Sequence, residues 1–171
     1  IACFFGNAGT DFASLVDAFA CLGVVVQALS RPILVPHEYA AVSMAHGYYL
    51  GAGRPATAMV HVTVGTGNAS TALISASRAN VPILMSAGRT PITEEGLPGA
   101  RDLHIHWAQE SFDQAAMVRE FVKWDYELRT PVQLEAVVDR AFELMLAEPR
   151  GPVHLDVPAD VAQAPNAIEL P

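Results

Sequence analysis

Glu38 is the residue whose type and placement most directly imply chemistry. It follows Pro36 and His37 at the end of the apolar run Ile33-Leu34-Val35, and it opens a small-residue helix pattern that runs to Gly53. A carboxyl at a strand-to-helix junction, flanked by little that is polar, sits where burial makes a retained proton useful at neutral pH. The position also suits a plain helix cap, because the helix dipole favours acids in a first turn. Two glycine-bearing turns accompany it, Gly6-Asn7-Ala8-Gly9-Thr10-Asp11 and Gly65-Thr66-Gly67-Asn68. Glycine lets backbone approach a ligand closely, so two such turns around one acid suit a flat heteroaromatic group gripped by backbone atoms. Taken singly, each glycine pair reads equally as a tight turn. Neither has the GxxxxGK[ST] or GxGxxG pattern and no lysine follows either, which counts against a phosphate loop.

The elements that must position these residues alternate along the chain. Strands are expected at Ile1 to Phe5, Ile33 to Val35, Thr57 to Val64, Val81 to Ala87 and Val153 to Val157. Helices are expected at Phe12 to Leu22, Glu38 to Leu50, Asn68 to Arg78 and Val132 to Ala147, with a turn of helix leading into a strand over Val118 to Leu128. This order predicts an α/β fold of three layers, a doubly wound and mainly parallel sheet with helices on both faces. Ligands of such sheets bind at the carboxyl ends of the strands, and all three stretches above fall there. Arg89 to Asp102 is the one long irregular stretch and reads as a mobile loop. Residues 1–161 are expected to form one domain, with 162–171 as a linker or tail in a Pro-rich ending.

Composition narrows the partners. Of 171 residues, 51% are hydrophobic and 16% charged, a lean surface that predicts an apolar face meeting another protein. The net charge of −8, with Lys and Arg totalling 10, excludes a nucleic-acid groove, which needs a dense basic face. No apolar run is long enough to span a membrane and no basic leader precedes the start, so a cytoplasmic protein is expected. The first residues read as the interior of a strand, as expected of a piece of a longer protein. Cys3 and Cys21 lack metal-ligand spacing and read as buried free thiols. His104 and His106 alternate, which on a strand or loop puts them on one face; without a third ligand they also read as solvated loop residues, and no metal site is expected. Trp124 and Tyr126 alternate with Lys123 and Asp125 in the manner of strand packing.

Five segments together resemble a known family. They are Phe5 to Thr10, His37 to Ala41 with Met44 to Tyr48, Val64 to Ala69, Val81 to Leu84, and Arg150 to Val161. In this order and spacing they are similar to the amino-terminal, pyrimidine-binding domain of thiamine diphosphate enzymes of the acetolactate synthase, benzoylformate decarboxylase and oxalyl-CoA decarboxylase group. The chain has Ala8 where that family usually has proline, and Thr66 where Gly-Pro-Gly is common.

The resemblance implies a decarboxylase or carboligase acting on 2-oxo acids or related carbonyl compounds, a lyase or transferase using thiamine diphosphate. It implies that Glu38 hydrogen-bonds N1′ of the aminopyrimidine and favours the imino tautomer, whose 4′-nitrogen removes the C2 proton of the thiazolium. Gly6, Asn7, Ala8, Gly9, Gly65, Thr66, Gly67 and Asn68 are expected to border the cofactor or substrate, Asn68 reading equally as a helix N-cap. His37, which orients its neighbour or is simply a half-buried hydrogen-bonded histidine, and Gln109, which resembles the glutamine of a Phe-Gln-Glu segment or has a surface role, are placed on the substrate side. In the family Mg²⁺ holds the diphosphate on a separate domain with a Gly-Asp-Gly start. No such motif is present here, so that domain is absent from this chain, and the isolated chain is expected to be inactive. The site then forms between subunits of a homodimer or tetramer. A fragment and a subunit of a split enzyme both fit, as does a non-catalytic interaction or regulatory module that kept the fold. A generic nucleotide-binding domain is disfavoured by the missing phosphate fingerprint.

Overall fold

A computed structural model describes residues 3–22 and 30–164. Six strands, β1 (Cys3–Gly6), β2 (Arg31–Leu34), β3 (Ala56–Val60), β4 (Ile83–Arg89), β5 (Asp125–Glu127) and β6 (Val153–Pro158), form one sheet in the order β2-β1-β3-β4-β6-β5. Every pairing is parallel, so the expected mainly parallel sheet is parallel throughout. The helices are α1 (Ala13–Leu22), α2 (Glu38–Ala52), α3 (Val62–Arg78), α4 (His104–Ala108), α5 (Leu134–Leu146) and α6 (Ala159–Gln163).

Strand alternation distributes the core to two faces. Phe5, Ala58 and Met85 stand in register, and they pack with Ala41, Val42 and Ala45 of α2 and Leu73 and Ala76 of α3. Leu84, Val153 and Leu155 point the other way and meet Ala141 and Met145 of α5. Phe4 shares that second orientation and its ring lies 5.8 Å from that of Phe19 on α1. The helices therefore cover both faces of the sheet, α2 and α3 on one and α1 and α5 on the other. Small residues let α2 sit close over β1 and β3 and α3 over β4 and β3, bringing their amino ends to the carboxyl ends of the strands.

Several expectations are corrected. β3 stops at Val60 and α3 starts at Val62, so Gly65 to Asn68 is not a turn after a strand but the first turns of a helix. The chain enters this helix through Val62 at φ +38°, a left-handed conformation that β-branched residues avoid. His104 and His106 lie on α4, where residues two apart point to different sides, and among the described residues no cluster of three or more metal-ligating side chains forms. Cys3 is half-buried and Cys21 exposed, both free, so they are not a pair of buried thiols. The stretch beyond β4 is irregular but tied down: Asp160 of α6 accepts hydrogen bonds from the Ile92 and Thr93 amides and the Thr93 hydroxyl, and Arg101 Nε donates to the Pro91 carbonyl at 2.7 Å. Residues 165–171, within the expected tail, lie outside the described residues, as do Ile1 and Ala2 of the expected first strand. No helix among the described residues is long and apolar enough to cross a membrane.

Candidate functional site

The site begins with the cap of α2. His37 is the N-cap, with extended backbone, and its Nδ1 accepts the Tyr39 amide at 3.1 Å. That bond satisfies an otherwise orphaned helix donor, and it leaves Glu38 free of capping duty. The imidazole is exposed, not half-buried, and stands 3.9 Å from Glu38 Oε2. His37 therefore positions the helix start more than it touches the carboxylate.

Glu38 itself is 7% exposed. Asn68 Nδ2 donates to its Oε2 at 3.1 Å, while Oε1 takes no hydrogen bond from the described residues. A buried acid needs such a partner, and the open oxygen is the one left for a ligand. Gly65 allows the approach: a Cβ there would crowd Val60 at 3.0 Å and the Val60 backbone at 3.1 Å, so a larger residue would shift the start of α3, which carries Asn68, against the end of β3. Gly65 and Asn68 thus act on Glu38 from within a helix, which is why a turn expectation located the right residues for the wrong reason. Thr66 is buried and its hydroxyl donates to the Val62 carbonyl at 2.9 Å, facing inward instead of toward a ligand. Gly67 is open and exposed.

A second constellation lies beside the first. Asp11, in the 3-10 turn Thr10–Phe12 that follows the Gly6 to Gly9 segment, places Oδ1 2.5 Å from His61 Nδ1 and accepts the Val62 amide on Oδ2 at 3.3 Å. Its side chain is 3% exposed and that of His61 24%. The Asp11 hydrogen bond holds the His61 imidazole above the ordinary histidine range; burial opposes this, and the charges of Asp11 and, more weakly, Glu38 add to it. Gly9 sits against the His61 ring, while Asn7 donates its amide to the Met59 carbonyl at 3.2 Å and fixes the loop over β3. Ala8 is exposed between them. Asp11 and His61 were missed from the sequence because His61 read as the interior of a strand. The signal was present: His61 follows the fully buried run Ala56 to Val60 as Glu38 follows Ile33 to Val35, at a strand's carboxyl end.

Gln109 completes the arrangement. Its amide nitrogen lies 3.4 Å from His61 Nε2, and its carbonyl accepts the Thr63 hydroxyl at 3.0 Å. Beneath it Gln114 donates to the Gly88 carbonyl at 2.9 Å and to Asp156 Oδ1 at 2.5 Å, and Asp156 lies 3.0 Å from Nε2 of the fully buried His154. The segment carrying Gln109 is thereby anchored to the sheet. Asp11, Val62 and Gln109 also border a cleft of about 250 Å³ with Arg89, Thr90 and His106.

These residues suit the ring portion of a cofactor better than a diphosphate. The donor set is a buried acid with one open oxygen, a histidine and an amide, without the clustered cations or metal ligands that a diphosphate–Mg²⁺ pair needs among the described residues. Comparison with known proteins places the chain in a family. Residues 1–117 match the family model described as thiamine pyrophosphate enzyme, N-terminal TPP binding domain. Benzoylformate decarboxylase of Pseudomonas aeruginosa is 30% identical over 141 residues, covering 81% of this chain and 25% of that protein. Acetolactate synthase of Arthrospira platensis is 30% identical over 131 residues, 77% of this chain and 21% of its own length. The crystal structure of benzoylformate decarboxylase from Polynucleobacter necessarius superposes with a TM-score of 0.80 at 22% identity, covering 100% of this chain and 29% of that one, a likeness of fold. The chain thus spans about a quarter of the length of the curated relatives it matches. With a three-layer parallel α/β fold, a buried acid at the strand ends and a family match over most of its length, the chain belongs to the thiamine pyrophosphate enzymes as their N-terminal TPP-binding domain.

Proposed function

We propose that this chain is the pyrimidine-binding part of a thiamine diphosphate-dependent decarboxylase or carboligase acting on 2-oxo acids or related carbonyl compounds. The observation that carries the reading is Glu38: buried, held on Oε2 by Asn68, and open on Oε1 at the carboxyl end of the sheet. Thiamine diphosphate, when bound, supplies the carbanion-stabilising thiazolium. Glu38 would share a proton with ring nitrogen N1′ of the aminopyrimidine, a task for which a carboxyl screened from water is suited because the shared proton is not lost to solvent. Asn68 keeps that carboxyl in one rotamer. His61 and Gln109, on the substrate side, would face the reacting carbonyl compound.

The diphosphate and its Mg²⁺ fall to another domain, since none of the residues here fits them. Tyr39 and Val64, both exposed and adjacent in the chain to Glu38 and Gly65, give an apolar rim that suits a facing protein surface. A homodimer or tetramer that presents a diphosphate-binding domain to this rim would complete the site. Substitution of Glu38 by Gln in the assembled enzyme tests the reading: proton–deuterium exchange at C2 of the cofactor, followed by NMR, should slow at least a hundredfold, about 2.7 kcal/mol of barrier. Normal exchange in that variant would overturn it. This chain alone should bind thiamine diphosphate and Mg²⁺ weakly or not at all, with exchange rescued by a diphosphate-binding partner.

A further inference from the structure

We propose that Asp11 is a positioning residue that holds His61 through its Nδ1–H and favours the imidazolium, so that the second ring proton, on Nε2, is directed at the Gln109 side chain. The geometry comes first. A carboxylate that is almost fully buried has two oxygens to satisfy: Oδ1 faces His61 Nδ1 at 2.5 Å, and Oδ2 takes the Val62 amide at 3.3 Å. A charged hydrogen bond of this length is of the strong kind, and the acceptor on Nδ1 leaves the second ring proton on Nε2.

The surrounding backbone is shaped to admit the pair. A Cβ at Gly9 would overlap the His61 ring, and one at Gly88 of β4 would overlap the Asp11 carboxylate, so both flanks must lack a side chain. Val62 holds φ +38° while its amide is claimed by Asp11 and the carbonyl of His61 accepts the Gly65 amide at 2.7 Å. Backbone strain of this sort survives only where neighbours over-determine it, and it concentrates at functional sites. The same carboxylate therefore starts α3 and orients the histidine in front of it.

Charges around His61 favour the imidazolium. Asp11 approaches from the 3-10 turn and Glu38 from the start of α2. The nearby cation across the cleft, Arg89 of β4, is committed to Glu127 at 2.6 Å and lies 3.6 Å from Glu110. Asp102 and His106 line the far side of the cleft, in ion-pair range of each other at 3.7 Å. Gln109, the neutral neighbour on Nε2, has two nearly isosteric settings of its terminal amide, and a protonated imidazole selects the one that offers oxygen. Asp11 thus sets the direction of the Gln109 amide through His61. The pair exists independently of any cofactor, whereas its importance to turnover rests on the function proposed above.

The experiment is a pH titration of the protein with its histidines labelled with ¹⁵N, the His61 signals assigned by His61→Gln. His61 should titrate above the ordinary value of 6.5, with Nδ1 and Nε2 both protonated below its midpoint. Asp11→Asn keeps the shape and one acceptor but removes the charge, and should lower His61 proton affinity at least about tenfold, one pH unit, while the other histidines stay put. An unmoved His61 in that variant would overturn the proposal. Should Asp11→Asn fail to fold, the wild-type titration decides alone: a midpoint at or below 6.5 sinks it. Failure of the thiamine reading would show in C2 exchange and leave this titration unaltered.

Discussion

Asn68 Nδ2 donates to Glu38 Oε2 at 3.1 Å, joining the first turn of α2 to the second turn of α3 across 30 positions of sequence. No other hydrogen bond from the described residues holds this carboxylate, so its orientation depends on that one amide. Asn68→Ala should slow C2 proton exchange in the assembled enzyme about ten- to a hundredfold, the worth of a hydrogen bond to a charged group. Exchange at the wild-type rate would remove Asn68 from the site.

Stability should depend on pH through His61. The fold binds its proton more tightly than the unfolded chain does, because Asp11 is there to receive it. The stabilisation is therefore complete below the unfolded value, 6.5, and is lost as pH rises through the higher folded value. Thermal midpoints measured upward from pH 6.5 should fall more steeply for the wild type than for His61→Gln; parallel curves would show that the pair contributes nothing to folding.

Asp160 fastens the stretch after β4. Removing its carboxylate in Asp160→Ala leaves the Ile92 and Thr93 amides without their acceptor, and should cost about 1–3 kcal/mol. Amide hydrogen exchange at Ile92 and Thr93 should quicken, and proteases should cut between 94 and 99. If those amides remain protected, some other contact holds the loop.

Gln114→Leu tests the support beneath Gln109. The substitution keeps bulk but deprives buried Asp156 Oδ1 of its 2.5 Å donor and the Gly88 carbonyl of its 2.9 Å one. Denaturant unfolding should show a loss of about 1–3 kcal/mol. A neutral result would mean that His154 alone satisfies Asp156.

What the sequence revealed follows the range over which each cause acts. Glu38 was legible because an apolar run, a capping histidine and a small-residue helix stand next to it in the chain. The alternation of elements likewise fixed a parallel three-layer fold, as the sheet shows. The start of α3 was not legible: glycines at 65 and 67 argue locally for a turn, but the carboxylate of Asp11, 51 positions away, takes the Val62 amide and begins the helix earlier. The Asp11–His61 pair was hidden for the same reason, since its partners meet only after β1 and β3 lie side by side. His104 and His106 lie on a helix and not on a strand or loop, and the same spacing has opposite meanings on the two.

Gly9 and Gly88 constrain the order in which this domain can change over generations. While Asp11 and His61 are in place, neither glycine can accept even a methyl group without displacing one of them. Once the acid or the histidine is lost, the space opens and alanine becomes harmless, after which restoring the pair requires two coincident changes. The pair is thus easier to lose than to regain, and an alanine at either position in a descendant would be a durable mark that its ancestors had already given it up.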